Sequence, residues 1–146
     1  MDNIEKRSKY ANLMYKLKKA TDYEFYYEAI FIEYAILEDR TESLLRHSNT
    51  KIPDRLSRKL NKIEEKYVKT KDKYLNKHLT QELINEIREF KFSRDRLIHN
   101  LVGRPYDYET IKNTAIYGEA LVKKVNSKFK LVNNYFDKQL QNKEAI

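Results

Sequence analysis

Residues 80–103, TQELINEIREFKFSRDRLIHNLVG, decide how this chain is read. Thr80 is a good helix cap, Gly103 a good helix stop, and Pro105 lies just beyond. Between them Leu83, Ile87, Phe90, Leu97 and Leu101 recur at the three-four spacing of a core-facing seam. A helix from Thr80 to Val102 follows. Arg94 takes the next place in that seam, where Leu or Ile would be ordinary. A guanidinium there pairs with a carboxylate, opens a wet cleft, or faces a second subunit.

Working outward, the same periodicity fills most of the chain. Asp2 to Lys19 reads as a first, weakly apolar helix with Ile4, Ala11, Met14 and Leu17 on one edge. Asp22 is placed to cap a second helix running to about His47. That helix carries two seams: Tyr23, Tyr27, Ile30, Tyr34, Leu37 and Leu44, then Phe25, Ala29, Ile32 and Ile36. Glu33 and Arg40 flank them. Glu33 is a candidate ion-pair partner for Arg94; the alternative is a boundary carboxylate reaching water. A third helix spans about Asp54 to Lys69, with Pro53 suited to its first turn. Asp107 caps a long last helix to about Leu140, and Gly118 within its seam predicts a close helix crossing. The expected architecture is all-α, an antiparallel bundle of four to five helices in one domain, 1–146.

Composition agrees. Two Gly and two Pro in 146 residues leave little room for a turn-rich β fold. The absence of Cys excludes disulfide frameworks and thiolate metal sites. No apolar run is long enough for a membrane span, so no membrane partner and a cytoplasmic location are expected. The net charge of +8 fits an acidic partner, RNA among them, or simply a lysine-rich solvated surface. Lys71, Lys73 and Lys77, with Tyr74 interleaved, form a basic segment that reads either as an RNA contact with a stacking ring or as a solvated linker. Other chemistries find no footing. The three His are far apart and form no metal-ligand motif, and two Gly cannot build a phosphate loop.

What remains is Arg94-Asp95-Arg96-Leu97-Ile98-His99-Asn100. Arg, four residues, then His, with a polar residue directly after the Arg, resembles the motif of the HEPN superfamily. Arg40 and His47 repeat the pattern with six residues between, but near a helix end and with Thr41 after the Arg in place of the Asn, Asp or His usual in that family. The resemblance covers one motif and an all-helical pattern. It implies a HEPN-like fold and a metal-independent endoribonuclease that works as a homodimer without cofactor. It also implies a toxin or anti-phage defence role, with an antitoxin or regulatory partner. Arg94 and His99 would be catalytic. Arg94 would hold the phosphate, and His99 would move protons, an imidazole ordinarily titrating near neutrality. Asp95 would set the imidazole tautomer or the Arg geometry, Asn100 and Arg96 would contact substrate or the facing subunit, and Arg104 just past the helix would add a cation.

Two points pull against this. Arg94 and His99 are five positions apart, about 140° of helix rotation, so Arg96 is angularly nearer the imidazole. One sub-family carries Tyr two residues after the His, a target for nucleotidylation; Leu101 stands there instead. The rival reading is a non-catalytic basic helical RNA-binding or scaffold protein, with Arg94 in a structural ion pair.

Overall fold

The computed structural model describes residues 3–103 and 107–144. Six α-helices occupy them: α1 (Asn3–Asp22), α2 (Tyr26–Leu45), α3 (Leu56–Ile63), α4 (Lys73–His78), α5 (Gln81–His99) and α6 (Tyr108–Glu144). No strand occurs among the described residues. Two compact units result. The first comprises Met1–Ile36 and Phe90–Val122, the second Leu37–Glu89 and Lys123–Ile146. Helices α2, α5 and α6 each contribute residues to both.

In the first unit, α1 buries only Leu17 and Ala20 fully, as its weak apolar edge implies. It does not stop at Lys19, and Asp22, its last residue, does not cap α2. Instead Glu24 adopts a left-handed backbone, φ 63°. Glu24 N–H then donates to Thr21 O at 3.1 Å and Phe25 N–H to Ala20 O at 2.8 Å. These paired bonds satisfy the orphan carbonyls of α1 in the Schellman manner, with a Glu where Gly is usual. α2 then buries Tyr26, Ala29, Ile30, Glu33 and Ile36. This buried line runs between the two seams expected from the sequence. It puts Glu33 in its centre, fully buried, and leaves Tyr23, Phe25 and Phe31 exposed. α6 begins at the expected cap, Thr110 N–H donating to Asp107 Oδ1 at 3.3 Å. Ile111, Ala115, Leu121 and Val122 face the core of this unit. Gly118 is the point of closest approach: a Cβ there would stand 2.6 Å from the Phe90 ring and closer still to Glu33 Oε1.

In the second unit, α3 buries Leu56, Lys59, Leu60 and Ile63 and continues as a π-helical turn, Glu64–Val68, that buries Tyr67. Lys59 is buried, its Nζ 3.6 Å from Glu38 Oε1. The segment after it is no linker. Asp72 caps α4, accepting from Tyr74 and Leu75 N–H at 2.9 and 3.2 Å. Thr80 caps α5 as its sequence predicts, accepting from Leu83 N–H at 3.1 Å. The first half of α5 is fixed by Arg88, which donates to Glu64 Oε2 at 2.5 Å and to Asn61 Oδ1 at 2.9 Å. Leu83, Ile84 and Ile87 of α5 and Val125, Phe129 and Val132 of α6 are buried in this unit, as are Leu37, Leu44, Leu45, Leu75 and Leu79.

Candidate functional site

The Arg94 motif lies wholly in the first unit, on the last two turns of α5. Past Phe90 the seam of α5 is no longer fully buried: Leu97 is half-buried and Leu101 exposed. Arg94 therefore sits at a margin, its side chain 23% exposed. Two groups hold it. Nη1 donates to Asp95 Oδ1 at 2.9 Å, and the guanidinium lies over the Tyr34 ring of α2, 4.0 Å from its centroid. Such stacking is worth about 0.5–2 kcal/mol when partly desolvated. Nε is buried without an acceptor, while Nη2 makes no hydrogen bond to any described residue.

The expected pairing with Glu33 is not formed. Glu33 lies in the core against Gly118 and Phe90, and both its oxygens lack hydrogen-bond partners. Burial, with some repulsion from Glu119, pushes its carboxyl up to about 9. It is a neutral acid at pH 7 and has no charge to offer a guanidinium. The alternative of a boundary Glu reaching water fails as well, since Glu33 is 0% exposed.

Asp95 serves two cations. Its Oδ2 accepts from Lys91 Nζ at 2.6 Å, one helical turn back, and its Oδ1 from Arg94. Partial burial raises the carboxyl, but the hydrogen bonds and charges of Lys91 and Arg94 together outweigh it and hold Asp95 below the ordinary range. Neither oxygen bonds His99. Of the two roles expected for Asp95, the geometry contains the orientation of Arg94 and not that of the imidazole.

His99 ends α5 and is exposed. Its side chain makes no hydrogen bond, ion pair or ring contact with any described residue. Arg96 and His99 are both basic residues of the last turn, where the helix dipole favours positive charge. Residues 92, 96 and 99 fall on one helical stripe. Phe92 is 63% exposed and Arg96 lies over its ring at 5.7 Å. His99 thus shares a solvent-facing stripe with Arg96, while Arg94 turns toward α2. Asn100 closes the helix end, its backbone N–H donating to Arg96 O at 3.0 Å. Beside the motif, Ser93 of α5 and Thr110, Asn113, Thr114 and Tyr117 of α6 line an open cavity of about 280 Å³. Arg104 lies outside the described residues.

Lys71, Lys73 and Lys77 belong to the second unit and are exposed. Tyr74, expected as a stacking platform, is already engaged. Its ring stacks on Tyr135 at 4.5 Å and meets His78 edge-on at 4.7 Å. The basic segment therefore offers cations without a free ring.

Sequence reasoning missed Tyr34, Lys91 and Phe92. The i,i+4 spacing of Lys91 and Asp95 was a readable signal; nothing local marks Tyr34 as the ring beneath Arg94. Among the described residues no three His, Cys, Asp or Glu side chains are grouped to hold a metal ion. No helix among them is long and apolar enough to cross a membrane. Comparison with known proteins finds no family model, no curated protein and no solved structure that matches this chain.

Proposed function

We propose that this chain is a metal-independent endoribonuclease of HEPN type that cleaves single-stranded RNA as a homodimer. The observation that carries the reading is the held guanidinium of Arg94. Asp95 and Tyr34 fix it, Nη2 is uncommitted among the described residues, and His99 stands exposed on the next turn of the same helix. A planar cation fixed before substrate arrives suits a phosphate whose charge grows during reaction. The ribose 2′-hydroxyl attacks the adjacent phosphorus while one imidazole takes its proton. A second imidazole protonates the departing 5′-oxygen, leaving a 2′,3′-cyclic phosphate and a 5′-hydroxyl. One chain has one such His, so two copies of α5 must face each other across a two-fold axis. The exposed Phe92 and Arg96, on the His99 stripe, are the residues placed to meet the second copy or the RNA. Expression in toxin or anti-phage defence systems, with an antitoxin or regulatory partner, is the setting that fits such an activity.

A second reading is a non-catalytic basic helical RNA-binding or scaffold protein. It is favoured by one observation: Arg94 spends Nη1 and its flat face inside its own chain and makes no contact with His99. Incubating the protein with single-stranded RNA in excess chelator separates the two. Cleavage lost in His99→Ala supports the nuclease. Binding without cleavage at any protein concentration supports the scaffold.

A further inference from the structure

We propose that the second unit carries a binding site for a phosphate group, built by His78 and Lys77 of α4, Lys128 of α6 and the first turn of α5. The site is separate from the Arg94 motif and does not rest on the nuclease reading.

Its setting is a cavity of about 200 Å³ lined by these residues together with Thr80 and Leu83. His78 is 7% exposed, and its Nδ1 is buried with no hydrogen-bond partner. A buried ring nitrogen without a partner is costly, about 1–3 kcal/mol for an unsatisfied polar atom, and calls for an explanation. The ring is not slack. Asp72, which caps α4, also accepts from Tyr135 Oη at 2.7 Å, and Tyr74 is clamped between Tyr135 and His78. The short helix that presents His78 is thereby fixed to α6 before any ligand arrives.

Charge specifies the ligand. Lys77 and Lys128 make no ion pair with any described residue, whereas Lys124, also on the cavity wall, is held by Glu86 at 2.9 Å. Glu82 on the first turn of α5 is the second acid on the wall. Three lysines against two carboxylates leave the cavity positive. The N-terminal end of a 19-residue helix adds the positive end of its dipole. Burial first, then the charges of Lys128 and Lys77, hold the imidazole below its ordinary range. Lys77 and Lys128 therefore press positive potential on the ring. An oxyanion of phosphate size would accept from Lys77 and Lys128 and draw a proton onto His78. The cavity suits one tetrahedral group better than an extended ligand, either free phosphate or the terminal phosphate of a nucleotide.

Calorimetric titration of the full chain with inorganic phosphate, and separately with adenosine monophosphate, tests this. Saturable binding of either is expected, the phosphate arm alone indicating the free ion and the nucleotide arm a terminal phosphate. Lys128→Gln, a surface change that leaves the core intact, should weaken binding about tenfold, the loss of one charge-assisted contact. His78→Gln should weaken it and should also remove the pH dependence of sulfate binding. Sulfate, doubly charged across this range, should bind more tightly to the native chain as pH falls and His78 gains its proton. The charged and titratable groups facing the ring are Lys77, Tyr74, Lys124, Lys128, Glu82 and Glu86, and loss of the slope in His78→Gln assigns it to the imidazole. Absence of saturable binding, or binding unchanged by Lys128→Gln, would overturn the proposal.

Discussion

The backbone of Gly118 on α6 lies against the carboxyl of Glu33 on α2, with no room between them for a methyl group. A neutral acid is thus sealed in an apolar core at the one place where the helices come close enough to need glycine.

Gly118→Ala should be damaging. The added carbon meets the end of the Glu33 side chain, which is buried on every side, and also the Phe90 ring, which is no flexible chain end and cannot simply swing away. Overpacking of this kind costs about 1–3 kcal/mol. Urea denaturation should show a lower midpoint with an unchanged slope. A midpoint equal to the native one would mean the crossing is looser than described.

Glu33 makes stability depend on pH. Its folded value, about 9, lies above the ordinary 4.5 of a carboxyl. The folded chain holds that proton while the unfolded chain loses it, so the unfolded state binds fewer protons between those values. The stabilisation is whole below about pH 4.5 and is lost as pH rises toward 9. The slope is at most about 1.4 kcal/mol per pH unit. Glu33→Gln removes this titration, so its stability curve should be flatter and should cross above the native one at alkaline pH. Parallel curves for the two chains would rule out a buried titrating acid.

Glu24→Gly should stabilise the chain. A left-handed non-glycine residue costs about 1–2 kcal/mol, and glycine returns about half of that through its greater freedom when unfolded. A gain of about 0.5–1 kcal/mol in thermal or urea unfolding is expected. Glu24→Ala, which keeps the Cβ, should give none of it.

The cleavage assay sorts the cations of α5. His99→Ala should abolish RNA cleavage, and Arg94→Ala should reduce it at least about a hundredfold, as loss of a transition-state charge contact does. Asp95→Asn should fall between, since Arg94 keeps Tyr34 but loses its carboxylate. If Arg96→Ala is inactive and Arg94→Ala is active, phosphate is gripped on the Phe92-Arg96-His99 stripe instead.

In cells, production of the native chain should slow growth and His99→Ala should not. Equal growth of both would favour the scaffold reading.

Much of the helical content was legible because apolar periodicity and caps act locally: Thr80, Asp107 and the Gly118 crossing follow from neighbours three or four positions away. Asp22 misled because a Schellman closure on Glu24 took the place of a cap, a choice set by backbone strain that composition does not advertise. α4 was hidden in a lysine-rich run, since its stability comes from Asp72 reaching Tyr135, 63 residues on. Glu33 misled most. Its position between two apolar seams looked like a boundary, and only the packing of α6 makes it a core residue. The ring beneath Arg94 was unreadable for the same reason, being a contact between distant stretches of chain.

Each compact unit is stitched from two separated stretches, 3–36 with 90–122 and 37–89 with 123–144. A nascent chain leaving the ribosome cannot close the first until the opening turns of α6 have emerged, nor the second until the rest of that helix follows. Early helices must wait, their oily faces bare, for the last one to arrive. Folding accordingly waits on α6, and one protease cut in the middle of the sequence deprives both units of a wall.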